Sequence, residues 1–273
     1  MRLARHWLWV AMVAMVATFA SGCGGSSSPT IPPTERTLPA PISTAVPKPA
    51  AHLRILFMGN SHTSVHDVPG SVARLIGSAQ PDLALQVATA PGNMFLSERL
   101  TDDTTLRLLR DAPWDVVVLQ AQKYSSSGRV TYSTSEAQEL IAMVRTAGAV
   151  PVLFPEWSRR DVPETDRIYD LHTSLAKAAP ACVAPIPQAF DLALERDRSL
   201  VLHEADGNHS SSAGAFLAAL VLFATITSSE PDDVGAVEGE VSPDVQATLR
   251  AAATDAVRST PPRQWCPVDR GKP

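Results

Sequence analysis

Short, nearly unbroken apolar runs recur through the first two thirds of the chain and alternate with stretches whose apolar positions repeat every three or four residues. The runs are residues 53–58 (LRILFM), 83–88, 114–119 (WDVVVL), 150–154 and 182–186. Each is too short for a helix of ordinary length and reads as a strand buried on both faces. Between them, residues 68–79 carry Val72, Leu75, Ile76 and Ala79 on one helical face. Residues 104–111, 133–146 and 164–178 read as helices in the same way. Residues 211–227 are apolar all round, which predicts a helix buried against the sheet, and residues 243–258 read as the last helix. Strands alternating with helices at this spacing predict an α/β fold, a three-layer α/β/α sandwich of flavodoxin-like type. Its sheet is expected to be mostly parallel, with about five strands. No internal repeat is visible.

Composition narrows the class. The chain has 273 residues, 45% of them hydrophobic and 19% charged, enough for a core of ordinary size. A formal net charge of −5 gives no electrostatic footprint for nucleic acid. Residues 1–22 stand apart: Arg2 and Arg5 precede an apolar run from Trp7 to Ala20 that is too short to span a bilayer comfortably, and Ala20-Ser21-Gly22-Cys23 follows. This resembles a bacterial lipoprotein signal peptide with its lipobox, with Ala20 standing where Leu is usual. The resemblance implies cleavage before Cys23, lipidation of Cys23, and export to the cell envelope with the chain held at a membrane by its lipid. A plain secretory signal is the alternative. Residues 24–50, with seven prolines, two glycines and three charged side chains, read as a tether. Residues 51–273 then form the folded domain. In an oxidising compartment Cys182 and Cys266 are an available disulfide pair, with two separate thiols as the alternative. Neither has a second Cys or a His at ligand spacing, so no metal site is expected.

In parallel sheets of this kind, ligands bind at the carboxyl ends of the strands. Four stations there carry candidate chemistry. After the first strand comes Gly59-Asn60-Ser61, a serine at a strand-to-helix turn, where a helix start favours developing negative charge. After the second comes Pro91-Gly92-Asn93, whose Gly92 permits close backbone approach. After the third, Gln120 and Gln122 lie two apart and so face the same side in extended chain. Near the end, Asp206 stands three residues before His209, a spacing at which a carboxylate can brace an imidazole. Each station alone also has an ordinary reading as a turn, a cap or a solvated polar pair. Trp157, after the fourth strand, is a candidate pocket wall, with a side chain packed over the sheet edge as the alternative. His62 is expected to point away from Ser61, and His66, His172 and His203 read as surface or core residues, with His203 and Glu204 near the Asp206–His209 loop.

Taken together, the four stations resemble the SGNH, or GDSL-type, hydrolase superfamily over about residues 53–228. Asn60 stands where that family usually has Asp, and glutamine where it has the third-block Asn. The resemblance implies a Ser61–His209–Asp206 triad that cleaves an ester through an acyl-enzyme. Its oxyanion hole would use the Ser61 and Gly92 N–H groups with Gln122, or Gln120 as second choice, and Asn93 would stand at the substrate pocket. It implies no cofactor. An acetyl or other short-chain acyl ester on a carbohydrate is the expected substrate. Two other readings remain at this stage: a binding protein on the same fold without turnover, and a flavin or nucleotide binder. The second is disfavoured because no phosphate-cradling glycine loop follows the first strand. The oligomeric state is not legible.

Overall fold

A computed structural model describes residues 52–267 of the chain. The expected signal peptide, the lipidated Cys23 and the tether lie outside the described residues. Five strands, β1 (His52–Met58), β2 (Ala84–Thr89), β3 (Val116–Gln120), β4 (Val150–Phe154) and β5 (Cys182–Val183), form one wholly parallel sheet in the order β2-β1-β3-β4-β5. From β1 the chain crosses first to β2 on one side and later to β3 on the other. The strand order therefore reverses between β1 and β3, and a crevice opens at their carboxyl ends.

Side chains alternate across the strands and divide the core in two. Ile55, Phe57, Val116, Val118, Val152 and Phe154 face α2 (Val68–Ala79), α7 (Ile186–Arg196), α8 (Ser212–Thr227) and α9 (Pro243–Ser259). Leu56, Met58, Val117, Leu119, Leu153 and Val183 face α4 (Asp103–Asp111), α5 (Ser135–Thr146) and α6 (Thr165–Ala178). α8 is buried around nearly its whole circumference, as its uniform apolarity predicts. No described helix is long and apolar enough to cross a membrane.

The expected strand over residues 182–186 is shorter in the structure. β5 ends after two residues, and a helix that the apolar pattern does not announce, α7, begins at Ile186. Pro185 and Pro187 explain the switch. Proline has no N–H to donate to a ladder but suits the first turn of a helix, where that donor has no partner. Cys182 and Cys266, 84 residues apart in sequence, are joined by a disulfide that ties the chain after α9 to β5.

Two positions in this frame give measurable consequences. Gly214, in the first turn of α8, lies so close to the chain leading into it that a Cβ would stand 2.2 Å from the Leu202 carbonyl oxygen. Alanine at an open helix position would add about 1 kcal/mol of stability, but here backbone must move. Gly214→Ala is therefore expected to destabilise by about 1–3 kcal/mol, read as a lowered urea midpoint at unchanged slope. His172, buried in α6, donates from Nδ1 to the Ile168 carbonyl at 2.8 Å, and burial lowers its pKa to about 4. The unfolded chain then binds the extra proton between about pH 6.5 and 4, so this residue's contribution is full above 6.5 and falls as the pH drops through that window. His172→Gln should flatten the pH dependence of the unfolding free energy there by up to about 1.4 kcal/mol per pH unit. An unchanged slope would contradict it.

Candidate active site

The sheet brings three distant segments together at the carboxyl ends of β1 and β3. Directly after β1, Asn60 caps the short helix α1 (Ser61–Ser64): its Oδ1 accepts from the His62 N–H at 3.0 Å. Asparagine is a strong N-cap, which explains the residue before the serine as a local structural choice. Ser61 is the first helical residue, so its backbone N–H has no carbonyl within the helix to bind. Gly59 admits no side chain here, because a Cβ would lie 2.2 Å from Thr63 Oγ1 and 2.5 Å from Gln120 Oε1.

The loop before α8 supplies the second segment. A single antiparallel bridge joins His203 and Ser210, and the Glu204 N–H donates to the His209 carbonyl at 2.8 Å. Gly207 takes a left-handed φ of 69°, tightening the turn between them. The loop is held from outside as well. Trp157 Nε1 donates to the Asn208 carbonyl at 2.9 Å, the Arg160 N–H to the Gly207 carbonyl at 2.9 Å, and the Arg160 guanidinium to the carbonyls of His203 and Glu204. His66, between α1 and α2, is bonded to Glu204 Oε1 at 2.7 Å and Ser212 Oγ at 3.1 Å, linking the α1–α2 turn to both ends of this loop.

So held, His209 Nε2 lies 2.9 Å from Ser61 Oγ, across 148 residues of sequence, and His209 Nδ1 lies 2.6 Å from Asp206 Oδ2. Asp206 also accepts the N–H groups of Asn208 and His209 at 2.9 and 3.0 Å through Oδ1. The bond from the His209 ring, then these two backbone donors, hold its carboxyl well below the usual carboxylate range. An ionised carboxylate only accepts, so the proton sits on Nδ1 and leaves the Nε2 lone pair facing the serine hydroxyl. This arrangement can remove a proton from Ser61 Oγ and stabilise the imidazolium that results.

His62 packs beside the His209 ring, centroids 5.2 Å apart and 28° from parallel, and against Trp157, also at 5.2 Å. Burial and then the neighbouring His209 lower its pKa to about 4, so at neutral pH it is an uncharged wall for the His209 ring. Trp157 is not a pocket wall. It is 1% exposed and stacks on Phe190 at 5.1 Å, because its indole N–H is spent on the loop carrying His209. Asn93 is exposed, and its neighbours Gly92, Pro91, Asn60 and Gly59 line a recess of about 290 Å³.

The two glutamines separate. Gln122 Nε2 donates to the carbonyls of Lys123 and Ser133 at 3.0 and 3.1 Å, which occupies both of its N–H bonds within its own loop. It is therefore not placed as an oxyanion donor. Gln120 is fully buried and faces the serine turn with the other end of its amide. Its Oε1 accepts from the Asn60 N–H at 2.8 Å and Thr63 Oγ1 at 3.0 Å, while Nε2 donates to Glu156 Oε2 at 2.9 Å. Burial pushes the Glu156 carboxyl up to about 7, against the pull of the Gln120 bond. Gln120 thus braces the Ser61 turn instead of reaching past it.

A residue that sequence reasoning missed lies beneath both turns. Arg99, the last residue of α3 (Leu96–Arg99), is 0% exposed. Its Nη2 donates to the carbonyls of Gly59 and Gly92 at 2.7 and 2.8 Å, and its Nη1 to the Pro91 carbonyl and Thr105 Oγ1 at 3.0 and 3.1 Å. One guanidinium therefore holds the turn after β1 against the turn after β2.

No family model matches the chain, and no curated protein matches it. Solved structures do. An SGNH-hydrolase candidate from Slackia heliotrinireducens is 27% identical with a TM-score of 0.52, over 64% of this chain and 99% of that one. A DUF4886 family protein from Bacteroides uniformis, 17% identical with a TM-score of 0.56 over 76% of this chain and 95% of that one, shares the fold. The architecture is thus that of the SGNH hydrolases.

Proposed function

We propose that this chain is a serine ester hydrolase. The observation that carries the reading is the unbroken line from Asp206 through His209 to Ser61, at 2.6 and 2.9 Å, at the mouth of the β1/β3 crevice. His209 Nε2 takes the hydroxyl proton as Ser61 Oγ attacks the ester carbonyl carbon. The tetrahedral adduct expels the alcohol, which leaves with that proton, and the acyl group stays on Ser61. Water, deprotonated by the same nitrogen, then releases the acid. The backbone N–H groups of Ser61 and Gly92 are the oxyanion donors. Likeness to the Slackia protein supports a hydrolase on this fold.

A recess of about 290 Å³ lies beside Gly92 and Asn60, the residue before Ser61, and offers room for an acyl group. Phe95, 38% exposed at the start of α3 with the Lys123 ammonium 4.6 Å from its ring centre, offers an aromatic surface next to polar Asn93. Such a rim suits a sugar alcohol, so an acetylated carbohydrate of the cell envelope is the proposed substrate. Lipidation at Cys23, with residues 24–50 as spacer, would hold the domain at a membrane. Purified residues 51–273 should hydrolyse p-nitrophenyl acetate and release acetate from acetylated sugars, with rates falling as the acyl chain lengthens. Rates that rise toward long acyl chains would overturn the short-ester assignment. A folded chain that binds such sugars without turnover would favour the ligand-binding alternative.

A further inference from the structure

We propose that Arg99 is a positioning residue of the oxyanion hole: from beneath the sheet ends it fixes and polarises the Pro91–Gly92 peptide so that the Gly92 N–H is aimed at the developing oxyanion. The proposal rests on the serine-hydrolase reading above.

A fully buried guanidinium is costly unless its donors are satisfied. Here no carboxylate touches it. Its two terminal nitrogens are spent on three backbone carbonyls and one threonine hydroxyl, and Nε alone lacks a partner. Charge compensation is indirect: Thr105 Oγ1, which accepts from Arg99, itself donates to Asp102 Oδ2 at 2.7 Å. All three carbonyls belong to the turns that flank Ser61 and Gly92, so the cation is placed by those turns and not by an ion pair.

Geometry gives the consequence. In a planar trans peptide the C=O and N–H point in opposite directions. Drawing the Pro91 oxygen inward to Arg99 Nη1 at 3.0 Å turns the Gly92 N–H outward, into the crevice. Gly92 has φ of 79°, and the peptide before a residue in this region can rotate at modest cost without an anchor. Arg99 is that anchor. A carbonyl that accepts a charge-assisted bond also makes its own peptide N–H a stronger donor. The shared Nη2 contact with Gly59 and Gly92 sets the spacing of the two donor-bearing turns. These effects count most when negative charge forms on the substrate oxygen, hence in the transition state more than in substrate binding.

The test uses Arg99→Lys and Arg99→Met in the full domain, with thermal melts to establish folding. kcat for p-nitrophenyl acetate is expected to fall by about 10²-fold in the lysine variant, with KM changed by less than about threefold, the pattern of one lost oxyanion donor. The inhibition constant of a trifluoromethyl ketone, which mimics the tetrahedral adduct, should rise by the same factor by which kcat/KM falls. Arg99→Met should lose at least as much. If it does not fold, the lysine variant decides. A folded variant with unchanged kcat overturns the proposal. So does a loss of kcat with unchanged trifluoromethyl ketone affinity, the pattern of a merely structural role. Wild-type protein that turns over no ester and does not react with a fluorophosphonate overturns the hydrolase reading together with it, whereas an active wild type with indifferent Arg99 variants overturns the Arg99 role alone.

Discussion

Replacing His209 with alanine should lower kcat on a short-chain ester by about 10⁶-fold, and combining it with Ser61→Ala should cost almost nothing more. The reason is that the pair act as one unit. Without the ring that lies 2.9 Å from Oγ, the hydroxyl must attack carrying its proton. Without the hydroxyl, the ring has nothing to activate. The folded state should barely notice either change. The His209 side chain is 30% exposed, and the backbone of its loop is held through Glu204, Arg160 and Trp157 and not through the imidazole. Melting temperatures within a few degrees of wild type, with activity lost, would separate chemistry from stability. A double variant far worse than either single one would show that the two residues act independently.

The second large effect is expected from Asp206→Asn, a loss of about 10⁴-fold in kcat with little change in KM. Asparagine keeps the oxygen that accepts from the Asn208 and His209 N–H groups, so the turn survives. What changes is the atom facing the ring. An amide N–H₂ in place of Oδ2 would meet a protonated Nδ1, and the imidazole would move its proton to Nε2, the nitrogen opposite Ser61. The ring would then present a donor where a base is needed. Steady-state kinetics on the purified variant checks this. A loss below about tenfold would mean that the carboxylate does not govern the tautomer.

Much of this was legible from the chain. Strands buried on both faces have to be apolar throughout, and β1, β3 and β4 announced themselves that way, whereas β2 at the sheet edge has no buried residue and leaves Ala84, Gln86 and Thr89 exposed. β5 did so only in part, because Ala184 onward is apolar for a different reason: it leads into α7, where Ile186, Ala189, Phe190 and Ala193 are buried. Pro185 and Pro187 were the signal that separates the two. Ser61, Asp206 and His209 stood out because strand ends and helix starts are where polar side chains interrupt apolar runs.

Direction was harder to read than position. Gln120 and Gln122 share a face in extended chain, yet Ala121 has φ of 79°, which breaks the alternation between them and sends Gln122 to its own loop. Trp157 looked like a pocket wall because its position follows a strand. The indole N–H bond to Asn208 turned it inward. Arg99 could not have been found from pattern at all. In a polar stretch such as Ser97-Glu98-Arg99 an arginine reads as solvated, and only the convergence of three carbonyls from two other segments makes it a buried one.

Reaction with a fluorophosphonate tests the central claim most directly, because it reports on the serine without knowledge of the substrate. Intact-mass and peptide analysis of residues 51–273 should show one adduct per chain, on Ser61, formed rapidly near neutral pH. The adduct should be absent in Ser61→Ala and slowed by orders of magnitude in His209→Ala. Folded wild-type protein that stays unmodified, or that carries the adduct on a different residue, would contradict the account.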